Sequence, residues 1–322
     1  MSYNGGLINI GLFASETSHF RNTNWADCLQ SMDQIWVINP QQEKACVDSG
    51  VDFYRTPIWV VPHALDIQKF QQSYSPLEQL KGYAGEFIFY GIGEWVARKN
   101  WAALVKAFHL EFRPEEPVHL LLKVGVPGLD RDASAHHIRK ELDAIKLGLK
   151  LGVYKPEILI TDKLSEAQML RLHASCNCYV SSSYGEAANI GGMVGLAMGK
   201  TPIVPNHSGF ATYIDDSVGW LVDCREEPCF GATDSLGDLY VGNENWWAID
   251  INHLRRCLRE AYENRNLVAD KSSKGILKSY DFSYESIGCR MRDILTNAHE
   301  KMARRTGPVS LVGTGSKAQK AI

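Results

Sequence analysis

Short apolar runs separated by amphipathic stretches set the pattern of this chain. Residues 7–13 (LINIGLF), 34–38 (QIWVI) and 58–61 (IWVV) are β-prone and predict three strands. Asn22, Thr23 and Asn24 offer caps for a helix from Trp25 to Met32, and Pro40 opens a second helix that ends near Gly50. The order strand-helix-strand-helix-strand argues for parallel pairing. Residues 63–80 read as a linker, after which the alternation resumes. Residues 87–90 (FIFY) predict a strand, Gly91-Ile92-Gly93 a turn, and Trp101, Leu104, Val105 and Phe108 a helix. Strands follow at 118–124, 158–160, 178–180 and 201–204, with helices at 135–149, from Ser165 through Leu172, and at 191–199. Residues 224–248 are long, irregular and aromatic, and a helix is predicted over 251–264. Ser283 caps a last helix with Ile287, Met291, Ile294 and Leu295 on one side. Residues 303–322 lack periodicity and predict a disordered tail. The fold class is α/β, with two Rossmann-like parallel-sheet domains.

Composition narrows the function without naming it. Of 322 residues, 45% are hydrophobic and 22% charged, an ordinary globular balance with material for two cores. A net charge of −3 offers no general basic field for nucleic acid. No apolar run is long enough to span a membrane, and residues 1–13 lack the positive n-region of a signal peptide. The eight cysteines are scattered, without a CxxC pair, which fits reduced thiols in a cytoplasmic protein.

Two stretches carry the candidate chemistry. In residues 181–204 (SSSYGEAANIGGMVGLAMGKTPIV) a strand end passes through a turn of small residues into a tightly packed helix. Such a turn presents backbone N–H groups at a helix N-terminus, where the dipole favours an anion. Glu186 lies in it, placed to accept hydrogen bonds from ligand hydroxyls; the competing reading is an ordinary connection with an exposed Glu. In residues 87–101 (FIFYGIGEWVARKNW), Arg98 and Lys99 precede a helix, where cations are disfavoured unless an anion sits between them and the N-terminus. The third glycine of a dinucleotide fingerprint is missing, so the stretch reads better as a diphosphate grip. Asp130-Arg131-Asp132 looks like a DxD metal motif but reads as solvated loop charge, and His136-His137 face different ways on a helix.

In this order and spacing, these stretches resemble the retaining glycosyltransferases of family 4, which have the GT-B fold. The similarity covers most of residues 7–300 and includes Phe89 to Gly93, Arg98-Lys99-Asn100, Ser183 to Glu186, Ala197 to Val204, Asn206 to Gly209 and Trp59 to Asp66. The resemblance implies transfer of a sugar from a nucleotide-diphosphate sugar, retaining and without a metal, to an acceptor it does not identify. It implies that Arg98 and Lys99 grip the donor diphosphate beside Gly91 and Gly93. It further implies that Glu186 and the amides of Ala187, Ala188, Asn189 and Ile190 hold the sugar, that Ser208 and Gly209 form a turn near the phosphates, and that Asp162, Lys163 and Leu164 lie against the nucleobase. By the same analogy the donor phosphate itself serves as the base. Glu16 and His19 face the acceptor side, and His63 fixes the interdomain linker.

The sequence departs from the family in two places. The family's second Glu, eight residues after the first and used to hold ribose, is replaced by Val194 and followed by Gly195. Residues 1–64 correspond to only the second half of a GT-B N-terminal domain; residues 65–280 form the nucleotide-sugar domain and 281–302 a bracing helix. A parallel sheet is normally covered on both faces. The short domain therefore predicts an open face or edge closed by a partner, either a second copy of the chain or a chain carrying the missing half. The alternative function is a non-catalytic nucleotide-sugar-binding module or one subunit of a split enzyme.

Overall fold

The computed structural model describes residues 7–235 and 237–305. Strands β1 (Ile10–Phe13), β2 (Gln34–Val37) and β3 (Ile58–Val60) form a parallel sheet in the order β1-β2-β3. Helices α1 (Trp25–Gln30) and α2 (Pro40–Asp48) make its two crossovers. The Asn39 side chain caps α2 by accepting from the Gln42 N–H at 3.0 Å, and Gly50 ends the turn after it at φ +96°. Gly11, Ile35, Val37, Phe20 and Leu29 pack on the helix side; a Cβ on Gly11 would stand 3.1 Å from Met32 Cγ. On the opposite side Leu12, Trp36 and Trp59 share one row of the register, with Leu12 76% exposed and Trp59 36% exposed at the outer strands.

After the short helix α3 (Ile67–Phe70) the second sheet opens with β4 (Phe87–Glu94). Helix α4 (Trp101–Glu111), β5 (Val118–Gly125), α5 (Arg131–Leu149), β6 (Ile158–Ile160), α6 (Glu166–Ser175) and β7 (Cys178–Tyr179) follow. Helix α7 (Ile190–Ala197), β8 (Ile203–Pro205), α8 (Phe210–Tyr213) and β9 (Trp220–Val222) complete it. The parallel order β6-β5-β4-β7 is continued to β8 and β9 through the Val180–Ile203 bridge. This is the doubly wound order, in which the chain reverses direction between β4 and β7, and the crevice at the carboxyl ends of those strands is where such sheets bind ligands. Successive residues of β4 bury on opposite faces. Phe87 and Phe89 join Leu120, Leu122 and Leu104 on one side, while Ile88 and Tyr90 join Leu121, Tyr179 and Met193 on the other. Each such side chain contributes about 1.5–3 kcal/mol when fully buried.

Four expectations are corrected. Gly91 and Gly93 lie inside β4, because the strand runs four residues past Tyr90. Helix α5 begins at Arg131, since the Asp130 side chain caps it by accepting from the Ala133 N–H at 2.9 Å. The irregular region is framed by an antiparallel hairpin, β10 (Cys224–Pro228) with β11 (Asn245–Ile249). Between α9 (Ile251–Glu263) and the last helix α11 (Tyr284–Arg305) stands α10 (Arg265–Ser279), which packs on α7 and which the sequence reading passed over. Helix α11 extends to Arg305, beyond the expected limit at 302; the rest of the predicted tail lies outside the described residues. Its first turn is tied to the interdomain linker, where the Leu65 N–H donates to Phe282 O at 2.7 Å and the Tyr284 N–H to Leu65 O at 3.2 Å. Among the described residues no helix is long and apolar enough to cross a membrane.

Candidate active site

The switch point brings Arg98, Lys99 and Glu186 into contact. Arg98 and Lys99 lie in a 3-10 turn between β4 and α4, ended by Asn100 in the left-handed region at φ 49°. The turn is zipped to the loop after β7: the Tyr184 N–H donates to Arg98 O at 2.9 Å, and the Ser182 hydroxyl to Asn100 O at 2.8 Å. Glu186 is 5% exposed. Its carboxylate receives the Lys99 ammonium in direct contact, the Ser183 hydroxyl at 2.7 Å and Arg98 Nη1 at 3.4 Å. Arg98 also donates to Gly185 O at 2.6 Å and lies 3.7 Å from the Glu16 carboxylate. Burial alone would push the Glu186 carboxyl up, but the Lys99 and Arg98 charges and the hydrogen bonds from Lys99 and Ser183 hold it below the usual carboxylate range. Burial opposes the charge on Arg98, and Glu186 and Glu16 outweigh it, raising the guanidinium above its ordinary value. The anion that the two cations require is thus, in the free protein, Glu186.

Glu186 is held rigidly. Its N–H donates to the Ser208 hydroxyl at 3.2 Å and its carbonyl accepts from the Gly209 N–H at 2.8 Å. Gly209 cannot carry a Cβ, which would stand 2.3 Å from Ala187 O. Gly185 is equally constrained, since a Cβ there would stand 2.1 Å from Glu16 O. Asn189, at φ 60°, caps α7, its Oδ1 accepting from the Gly192 N–H at 2.8 Å and the Tyr179 hydroxyl at 2.7 Å. A cavity of about 230 Å³ opens here, lined by Glu16, His63, Ile92, Lys99 and residues 186–191. A second, larger cavity of about 450 Å³ lies behind the same turns, between α4 and the hairpin, where Asn100, Lys106 and Tyr184 are among its lining residues. The smaller one is the candidate site because Glu16, Lys99 and Glu186 line it; Arg98 is not among its lining residues and stands behind Glu186, 3.4 Å from its carboxylate.

The other expected residues are placed unevenly. Gly93 makes room for the Lys99 stem, whose Cε lies 3.5 Å from where its Cβ would be, and Gly91 admits the Trp101 ring. Asp162, Lys163 and Leu164 follow β6 at the same end of the sheet, two strands from β4; they do not line the cavity, and Asp162 pairs with Arg131 at 3.3 Å. Val194 packs against the core, so its position brings no polar group to the site. His19 also falls outside the cavity lining, its Nε2 meeting Asn243 O at 2.9 Å. Four contributors were given no role at this site by the sequence, His63 having been assigned to the interdomain linker. Ser183 stands at i−3 to Glu186, a local signal that was readable. His63 lines the cavity, and partial burial lowers its pKa. Asn39 donates from Nδ2 to Ala187 O at 2.7 Å, and Tyr240 donates to the Glu16 carboxylate at 2.9 Å, contacts across 148 and 224 residues that carry no local signal. Tyr240 belongs to a latch between the domains, in which residues 240–245 grip residues 16–22. The Ser18 N–H donates to Asn245 O at 2.8 Å and Asn22 Nδ2 to Asn243 Oδ1 at 2.8 Å.

Among known proteins the likeness is one of structure. No family model and no curated protein matches the chain. Sucrose-phosphate synthase (tll1590) from Thermosynechococcus elongatus is similar at TM-score 0.59 and 18% identity, over 86% of this chain and 61% of that one. Anabaena Alr3699/HepE, solved with UDP and glucose, is similar at TM-score 0.64 and 14% identity, over 89% of this chain and 71% of that one. The fold is that of the GT-B glycosyltransferases. The pneumococcal O-GlcNAc transferase GtfA, solved with UDP and GlcNAc, shares this GT-B fold at TM-score 0.57 and 14% identity, over 90% of this chain and 52% of that one. The chain therefore spans between about half and three-quarters of the length of these GT-B structures.

Proposed function

We propose that this protein binds a nucleotide-diphosphate sugar at the β4–β7 switch point and transfers the sugar to an acceptor with retention, as a family 4 glycosyltransferase does. The observation that supports this best is the pairing of Lys99 with Glu186 in the lining of a cavity, with Arg98 beside them on the same carboxylate. The incoming diphosphate takes over the two cations, which compensate the charge that grows on the leaving group. The planar guanidinium supplies a fork and the ammonium a point charge. Glu186, released from its counter-ions, accepts hydrogen bonds from sugar hydroxyls. The bond from the anomeric carbon to the diphosphate oxygen breaks, the acceptor oxygen bonds to that carbon on the same face, and the acceptor proton passes to the departing phosphate oxygen. No metal is assigned a role. Glu16, which lines the cavity from the N-terminal domain, sits on the acceptor side.

A thermal-shift panel of UDP-, GDP- and ADP-sugars tests the reading. A donor at 100 times its Kd stabilises by about 2.7 kcal/mol, and Arg98→Ala with Lys99→Ala abolishes the shift. A panel without any shift overturns it. A second reading, a binding module or one subunit of a split enzyme, is favoured by Val194, which leaves the ribose without its carboxylate. Binding of donor without release of nucleoside diphosphate in the presence of candidate acceptors would support that reading.

A further inference from the structure

Lys123 is a half-buried cation beside the candidate site that the proposed transfer does not use. It stands near the carboxyl end of β5, in register between Ile92 of β4 and Ile160 of β6. In-register neighbours of a parallel sheet share a face, so Lys123 projects on the side of Tyr90, Leu121 and Ile160. Ile92 lines the cavity, and Lys123 is one strand farther from β7, about 4.8 Å away. Among the described residues its ammonium makes no ion pair and no side-chain hydrogen bond; burial lowers its pKa, and Asp162 is the one charge that acts the other way. An ammonium that gives up water without gaining a contact is costly, and an apolar residue would fit the row between two isoleucines at lower cost. The position therefore points to a ligand.

The direction of that ligand follows from the site, and this inference rests on the proposed donor reading. With the sugar at Glu186, on the β7 side, and the diphosphate at Arg98 and Lys99, the nucleoside leaves over β5 and β6. We infer that Lys123 reads the nucleobase, its ammonium donating to a carbonyl oxygen of an oxo base, uracil or guanine. Lysine offers donors only, and a charged donor bonds a carbonyl oxygen strongly. Adenine has no carbonyl and carries an amino group, itself a donor, at the corresponding edge. Lys123 thus sets a preference for uridine or guanosine diphosphate sugars over adenosine ones, through a contact separate from the phosphate grip.

Calorimetric titration of the full chain with UDP, GDP, ADP and pyrophosphate tests this. The wild-type protein is expected to bind UDP or GDP at least tenfold more tightly than ADP. Lys123→Met keeps the stem length and removes a charge that has no ion-pair partner, so the fold is retained, as its melting curve checks. Its affinity for the preferred oxo nucleotide falls about 10- to 100-fold, to the level of ADP, with ADP and pyrophosphate unchanged. Lys123→Arg, which keeps a cationic donor, retains the preference. An equal fall for UDP, GDP and ADP places Lys123 on the ribose or phosphates and overturns the inference; so does an unchanged oxo-base preference in Lys123→Met. A wild-type protein that binds none of the four ligands overturns the donor reading itself.

Discussion

Glu186→Gln separates the two parts that Glu186 plays. In the free protein its carboxylate is in contact with Lys99 and 3.4 Å from Arg98, with the side chains 6%, 15% and 18% exposed. At an effective dielectric of about 20, the Arg98 pair alone is an attraction of about 5 kcal/mol, partly offset by desolvation. Glutamine keeps the shape and an acceptor oxygen but leaves two largely buried cations short of a counter-charge. The expected loss is about 3 kcal/mol of folding stability, read from urea unfolding at neutral pH. The same substitution removes the competitor of a phosphate, so pyrophosphate binds about tenfold more tightly or better. A nucleotide sugar forfeits its contact with a charged acceptor, worth about 1.5–3 kcal/mol. Because the native Glu186 carboxyl is held below its ordinary value of 4.5, its contribution is complete above that pH and vanishes as pH falls through the lower native value. The stabilities of wild type and Glu186→Gln should therefore converge in acid. Two results would refute the reasoning: a variant as stable as wild type to within about 0.5 kcal/mol, or one that binds pyrophosphate less tightly.

Gly185→Ala puts a Cβ 2.1 Å from Glu16 O. The loop carrying Glu16 must move, and the expected outcome is a loss of more than about 2 kcal/mol with weakened donor binding, measured by thermal unfolding and titration; wild-type values for both would show that the loop yields freely. His173 and His207 are each held neutral by burial, down to about 3, so the native state refuses protons that the unfolded chain binds below 6.5. Stability should fall as pH drops from about 6.5 toward 3, and His207→Gln should flatten part of that slope in urea titrations at stepped pH. Leu12 stands in β1 on the sheet face away from α1 and α2, and the outer edges of β1 and β3 are unpaired among the described residues. Light scattering should find the purified protein associated, and Leu12→Glu should shift it toward the monomer; a wild-type monomer whose N-terminal domain resists protease would show the short domain to be self-sufficient.

Local chemistry was enough to determine the alternation of strands and helices, the helix start at Pro40, the cap at Ser165, and the two stretches that carry Arg98, Lys99 and Glu186. Apolar period and capping side chains are properties of neighbours along the chain, so they survive in the sequence. The same locality explains the misreadings. Gly91 and Gly93 look like a turn because small residues usually mark one; they lie in a strand that pairs with β5 through Glu94, and they are small because the Trp101 ring packs against it from the next helix. Sequence could place Glu186 near a ligand, yet only the tertiary structure makes it the counter-ion of Arg98 and Lys99, 88 and 87 residues away, because the crossovers on the two sides of β4 and β7 run in opposite directions and leave a switch point there. Tyr240 reaches Glu16 across 224 residues because the segment before β11 packs on residues 16–22, and Lys123 stands beside the cavity through the register of β4, β5 and β6. Charges separated by that much chain influence one another only when the sheet brings them within a few ångströms and excludes the water between them.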